Sequence, residues 1–252
     1  MRWISRAWLL ALLAALCTFV TVLGSADSAF ALCSPGRPRG VVGSHYQGGV
    51  QAASVQLAGT TIDYYIPYVD QSSGSSSSAW QMLWTSACFD QNTGSYILAQ
   101  AGFVQMTGDS QDYVFTESGT CAGGLDVVLE FPSKPRVTSR FNVYSHSSPK
   151  EVDMYQGSTL LQSRIVDWTA NEIAVAAETH SQDDQGYGGT TTPRLFGQLQ
   201  YQDRSGGFHN DSLLLTPNNV SSNNDSGLPW WSWLKMTLGS DSFYTYDSAC
   251  TG

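Results

Sequence analysis

Long helical periodicity is missing from this chain beyond residue 31. No later stretch repeats apolar side chains every three or four positions over a helical length, which excludes a helical bundle. Basic residues are scarce, with 12 Lys and Arg against 21 Asp and Glu and a formal net charge of −9. So acidic a surface argues against nucleic acid as a partner. Histidine is confined to four scattered positions, His45, His146, His180 and His209, and neither a His-Glu-x-x-His pair nor a Gly-x-Ser-x-Gly elbow occurs. The usual metallopeptidase and serine-hydrolase templates are therefore absent. No two cysteines are spaced closely enough to suggest a zinc site, and no cofactor or metal is expected.

What is present begins with a three-part secretory signal: basic Met1 to Arg6, an apolar run from Ala7 to Leu23, and Ala29-Phe30-Ala31 as the cleavage site. Cleavage before Leu32 removes two positive charges and one negative, so the formal charge moves from −9 to −10. A secreted, extracellular protein without a membrane span follows from this reading. The remaining Cys33, Cys88, Cys121 and Cys250 are an even set, consistent with two disulfides in an oxidising compartment. Of the three pairings, Cys88 with Cys121 would flank the Gln100 segment, and Cys33 with Cys250 would tie the termini. Residues 32–252 suit one all-β domain, expected to be monomeric.

Short alternating or β-branched segments recur: Val50 to Leu57, Thr61 to Tyr68, Trp80 to Thr85, Tyr96 to Met106, Gln111 to Thr116, Leu125 to Phe131, Arg136 to Tyr144, Glu151 to Tyr155, Glu172 to His180, Leu195 to Tyr201 and Phe243 to Tyr246. Their spacing, punctuated by turn residues, predicts an antiparallel β-sandwich or barrel. Ser158 to Asp167 fits a strand or a helix. Ser72 to Ser78 is expected as a hairpin loop, Ser181 to Thr192 as a loop at the mouth of a cleft, and Pro217 to Gly227 as an exposed loop.

Two of these segments each place one polar side chain among apolar ones. In Tyr96 to Phe103 it is Gln100, sharing a strand face with Leu98, Gly102 and Val104. In Glu172 to His180 it is Glu178, sharing a face with Glu172, Ala174, Ala176 and His180. Burying an amide and a carboxylate is unfavourable unless something binds them. Gly102, Ala174 and Ala176 are expected to leave room above the sheet, as a water-activating cleft requires.

At these residues the chain resembles the glutamic peptidases, both the eqolisin group with its Gln and Glu dyad and the neprosin-like group with two glutamates. Ala99-Gln100-Ala101-Gly102-Phe103 is similar to the Leu-Gln-Thr-Gly and Glu-Ala-Gly-Trp patterns of the two groups. Ala174-Val175-Ala176-Ala177-Glu178, with a Gly-rich loop after it, resembles the strand carrying the second catalytic residue. Asp112-Tyr113-Val114-Phe115-Thr116-Glu117 resembles the aromatic strand after the eqolisin glutamine. The resemblance covers roughly Ser78 to Tyr201. It implies a concanavalin-like jelly roll whose concave sheet holds a polypeptide substrate. It also implies peptide-bond hydrolysis at acidic pH, with Glu178 activating water and Gln100 stabilising the oxyanion. Glu117, Glu172 and His180 would support the dyad, and Tyr113 and Phe115 would line the groove.

Two other readings fit parts of the pattern. A glycoside hydrolase would pair Glu178 with Glu117 or Glu130 across a concave sheet. A non-catalytic extracellular module would bind peptide or glycan in the same groove, and Trp230-Trp231-Ser232-Trp233 is a candidate stacking cluster.

Overall fold

The computed structural model describes residues 40–46, 55–67, 69, 76–92, 95–107, 109, 112–179, 184, 188, 189, 191–210, 233–237 and 241–247, with the backbone alone for 40–46, 95, 210 and 233–237. The signal segment, Cys33, Cys250, His180 and Trp230 to Ser232 lie outside the described residues.

In chain order the strands are β1 (Gly40–Tyr46), β2 (Val55–Ile62), β3 (Ser76–Asp90), β4 (Ser95–Met106), β5 (Tyr113–Thr120), β6 (Gly124–Phe131), β7 (Ser139–Ser147), β8 (Lys150–Gln156), β9 (Thr159–Ile165), β10 (Glu172–Thr179), β11 (Arg194–Asp203), β12 (Phe208–Asn210), β13 (Trp233–Thr237) and β14 (Phe243–Asp247). Among the described residues they form two sheets. One runs β1-β10-β3-β4-β5-β6; the other runs β13-β14-β11-β2-β7-β8-β9, with β12 added beside β11. Every pairing within the sheets is antiparallel. The chain is an all-β sandwich.

Alternation explains the layering. In the first sheet Ala79, Leu83, Ile97, Ala99, Ala101, Phe103, Val114, Ile173, Val175 and Ala177 point inward. They meet Ala58, Ile62, Phe141, Val143, Val152, Met154, Phe196, Leu199 and Phe243 of the second sheet. Phe103 and Phe141 join the layers edge to face at 5.0 Å, and Phe196 stacks on Phe243 at 4.8 Å. Where the chain crosses from β9 to β10, buried Trp168 donates its indole N–H to the Gly119 carbonyl at 2.8 Å, which satisfies the indole in the core.

Three local differences from the sequence pattern have physical reasons. Ser76, Ser77 and Ser78 open β3 instead of belonging to a loop. As a strand between β10 and β4 it pairs Ser77 with Thr179 and Gln105, and Ser78 with Glu178 and Val104, and these small side chains tolerate burial. The segments expected on either side of Gly59 are one strand, β2, because Gly59 continues the pairing with Asn142 and Gln200. Ser158 to Asp167 contains a strand, β9, because β8 supplies its ladder.

Cys88 and Cys121 form the expected disulfide. It closes a separation of 33 residues, for which chain entropy gives about 3–4 kcal/mol of stabilisation. Replacing both cysteines by serine is expected to lower the thermal midpoint by roughly 10 °C, read by circular dichroism. An unchanged midpoint would show that the bridge adds nothing to the sandwich.

The β11–β12 turn is built around Asp203. Its Oδ1 accepts from Ser205 N at 2.9 Å, Ser205 Oγ at 2.6 Å and Gly207 N at 2.9 Å, while Oδ2 faces His209 Nε2 at 2.8 Å. His209, then Ser205 and the Gly207 amide, hold the Asp203 carboxyl well below the usual carboxylate range. A folded value depressed below the unfolded one contributes stability above the unfolded value, and loses it only as the pH falls through the folded value. Asp203→Asn is therefore expected to lower the thermal midpoint at pH 7 and still at about pH 4, near the ordinary carboxylate value, with the gap closing only in stronger acid. Equal midpoints at about pH 4 would contradict this assignment.

Candidate active site

The register of the first sheet arranges its outward side chains in rows. Glu178, Ser78, Val104 and Tyr113 form one row. Ala176, Trp80, Gly102, Phe115 and Glu130 form the next, and Ala174, Met82, Gln100, Glu117 and Val128 the third. Glu172, Trp84 and Leu98 form the fourth. All lie on the face turned away from the sandwich core, so Gln100, Glu117, Glu172 and Glu178 share one surface.

The rows also separate them. Gln100 and Glu178 share a sheet and a face, but β3 runs between their strands and the register offsets them by four residues. At about 3.3 Å per residue and 4.8 Å per strand, their Cα atoms are about 16 Å apart. Two extended side chains leave a gap there wider than one water. Glu172 is offset from the Gln100 row by two residues, about 12 Å on the same reckoning. Glu117 is the direct cross-strand partner of Gln100. The glycosidase pairings meet the same obstacle. Glu117 and Glu130 lie three and four strands from Glu178, about 14 Å or more, beyond the carboxylate spacings glycoside hydrolysis uses.

Each polar group is held. Gln100 is 7% exposed and its Nε2 donates to Glu117 Oε2 at 2.5 Å. That bond fixes which limb of the amide is nitrogen and leaves the second N–H to be aimed elsewhere. Glu178 Oε2 accepts the Trp80 indole N–H at 3.2 Å. Glu172 is 2% exposed, with Trp84 as its cross-strand partner. Trp84 packs on Tyr96 at 4.7 Å, and Tyr96 meets Phe89 edge to face at 5.1 Å. This aromatic wall stands at the Glu172 end of the face. At the opposite end the Tyr113 phenol is hydrogen-bonded to Asp109, which raises it above its usual range.

The space expected above Gly102, Ala174 and Ala176 is taken by aromatic rings. Trp80 and Phe115 pack with Ala174 and Ala176 as a second apolar cluster, flanked by Met82 and Val104. The small residues make a bed for Trp80. The role of this indole was hidden in the sequence because Ala79 to Trp84 reads as an apolar run, except for Gln81. Gln81 faces the core and donates to the Ala174 carbonyl at 3.0 Å, so both faces of β3 are buried and neither stands out.

A separate cavity of about 310 Å³ opens at the end of the sandwich, lined by Thr85, Cys88, Cys121, Asp167, Trp168 and Asn171 among others. Its carboxylate, Asp167, accepts the Cys121 and Ala122 backbone N–H groups at 2.7 and 3.1 Å. It therefore anchors a turn, and the chemistry-bearing face is the sheet surface above. Among the described residues no helix is long and apolar enough to cross a membrane.

No family model matches the chain, and no curated protein matches it in sequence. Among solved structures the chain is similar in fold to scytalido-glutamic peptidase. One crystal structure, with a transition-state analogue inhibitor, matches with a TM-score of 0.52 at 11% identity over 85% of this chain and 100% of that one. A second, with a peptide-based transition-state analogue, matches with a TM-score of 0.50 at 11% identity over the same shares.

Proposed function

We propose that the chain is a peptide hydrolase of the glutamic type, acting on extended polypeptide across the outer face of the six-stranded sheet. The observation that carries the reading is Gln100: a buried amide on a solvent-side sheet face, oriented by Glu117, with a second glutamate two rungs away. The spare N–H of Gln100 would donate to the oxyanion of the tetrahedral intermediate. Glu172 would take a proton from the attacking water and return it to the leaving nitrogen. This moves the base from Glu178, which the resemblance implies, to Glu172, the one of the two that register brings nearer to Gln100. Glu178, anchored by Trp80, would line the far end of the groove. Support also comes from the fold neighbours, whose bound ligands are transition-state analogues.

The test is digestion of a denatured protein by the secreted chain from about pH 2 to about pH 7, across the carboxylate titration range. Gln100→Ala is expected to cut the rate about 100-fold or more, as loss of an oxyanion donor does. Absence of cleavage by folded wild type at every pH would make the groove a binding surface instead.

A further inference from the structure

The opposite side of the sandwich holds a cation that has no carboxylate partner among the described residues. Arg140 on β7 is half-buried on the outer face of the eight-stranded sheet. Its guanidinium makes three hydrogen bonds, all to neutral oxygens: Nε to Asn142 Oδ1 at 3.1 Å, Nη1 to the Gln198 carbonyl at 3.0 Å, and Nη2 to Gln200 Oε1 at 3.2 Å. Burial lowers its pKa below the usual guanidinium value. Of five guanidinium N–H groups two remain among the described residues, one on each terminal nitrogen, and donors on both terminal nitrogens are what a guanidinium uses to hold an oxyanion.

The surroundings are built for that fork. A Cβ at Gly59 would lie 2.7 Å from Arg140 Nη2 and closer still to Asn142 Oδ1, so the guanidinium rests on bare β2 backbone. The strand partner of Gly197 is Thr61, itself paired with Arg140. On the other side Gly157 donates its N–H to the Arg140 carbonyl, and a Cβ there would meet nothing within 4 Å. Gln198, whose carbonyl faces the guanidinium, is among the described residues the one non-glycine with a positive φ, 53°. Such backbone strain persists only where surrounding contacts hold it. Its side-chain Oε1 accepts from Thr61 Oγ1 at 3.1 Å. With the oxygens of Asn142 and Gln198 committed to Arg140 and Thr61, their amide nitrogens are left as donors. The cluster thus offers one positive charge bordered by hydrogen-bond donors.

We propose that Arg140, with the side-chain amides of Asn142 and Gln198, forms a binding site for an oxyanion group, a carboxylate, sulfate or phosphate, on the sheet opposite the groove. This site is independent of the hydrolytic reading.

The experiment is a titration of the isotopically labelled chain followed by nuclear magnetic resonance, with sodium sulfate, phosphate and acetate in separate arms against sodium chloride at equal ionic strength. The Arg140 Nε–H and Asn142 side-chain amide signals are expected to shift saturably with at least one oxyanion, and the responding arm identifies its geometry. Arg140→Gln is expected to weaken that binding about tenfold or more, the worth of a charge-assisted hydrogen bond. Gln198→Gly, which relieves the backbone and removes one donor, should weaken it less. Shifts in wild type that match chloride in every arm overturn the proposal without reference to any variant, as does binding that Arg140→Gln leaves unchanged.

Discussion

Glu172→Gln is expected to lower kcat by about 100- to 10,000-fold, the range for loss of a general base, with KM nearly unchanged. Glu178→Gln is expected to lower kcat/KM by less than about tenfold, through KM. The distinction rests on register. Glu172 lies two residues from the Gln100 row and Glu178 four, with β3 between in both cases. The water that attacks a carbonyl whose developing oxyanion is held by Gln100 must be within hydrogen-bond reach of its base. The spacing of about 12 Å between Cα atoms permits that with side chains extended, and about 16 Å does not. Glutamine is the right replacement because it keeps volume and hydrogen bonding while removing proton transfer, so the Trp84 wall stays packed. Steady-state kinetics on a quenched fluorescent peptide decides between the two carboxylates, with circular dichroism confirming that both variants fold. If Glu178→Gln loses kcat and Glu172→Gln does not, the substrate must be drawn across the Trp80 bed, and the base returns to the far end of the groove. Glu117→Gln gives a third readout: it keeps an acceptor for the Gln100 amide, so its loss should be smaller than that of Glu117→Ala.

Strand alternation made much of this face readable in advance. Gln100, Gly102 and Val104 must share a side of β4, and Glu172, Ala174, Ala176 and Glu178 a side of β10, whatever the fold. Alternation says nothing about how far one strand slides past another. That offset is set by pairing with β3, whose register with both neighbours places Met82 between Ala174 and Gln100. Two side chains of the face were invisible for a related reason. Trp80 and Trp84 sit in a strand buried on both faces, so their hydrophobicity carries no period, and their assignment to Glu178 and Glu172 exists only across strands. The short strands β1, β12 and β13 lacked a signal of their own because each is defined by the partner it pairs with. The Cys88–Cys121 bridge was legible because it flanks the strand that carries Gln100.

Gly102→Ala is expected to destabilise the protein by about 2–4 kcal/mol, a fall in thermal midpoint of roughly 5–15 °C for a domain of this size. One added methyl has this effect because of what it would meet. An ideal Cβ at Gly102 lies 2.7 Å from Trp80 Cα and 2.8 Å from the Ala79 carbonyl carbon, and nearer still to the Ala79 carbonyl oxygen. All three atoms are backbone, so no rotamer change relieves the overlap, and β4 must move away from β3. The movement would loosen the bed under Trp80 and the anchor of Glu178. It would also shift Gln100, two residues along the same strand, relative to Glu172 on the far side of β3. Misplacement of a catalytic group by about 1 Å can cost on the order of 100-fold in rate, so activity should fall well below wild type even at temperatures where the variant remains folded. Measuring the midpoint and the low-temperature rate separates the two effects. A variant with the wild-type midpoint would mean that the β3–β4 contact yields easily; a lowered midpoint with the wild-type rate would mean that the position of Gln100 does not depend on it.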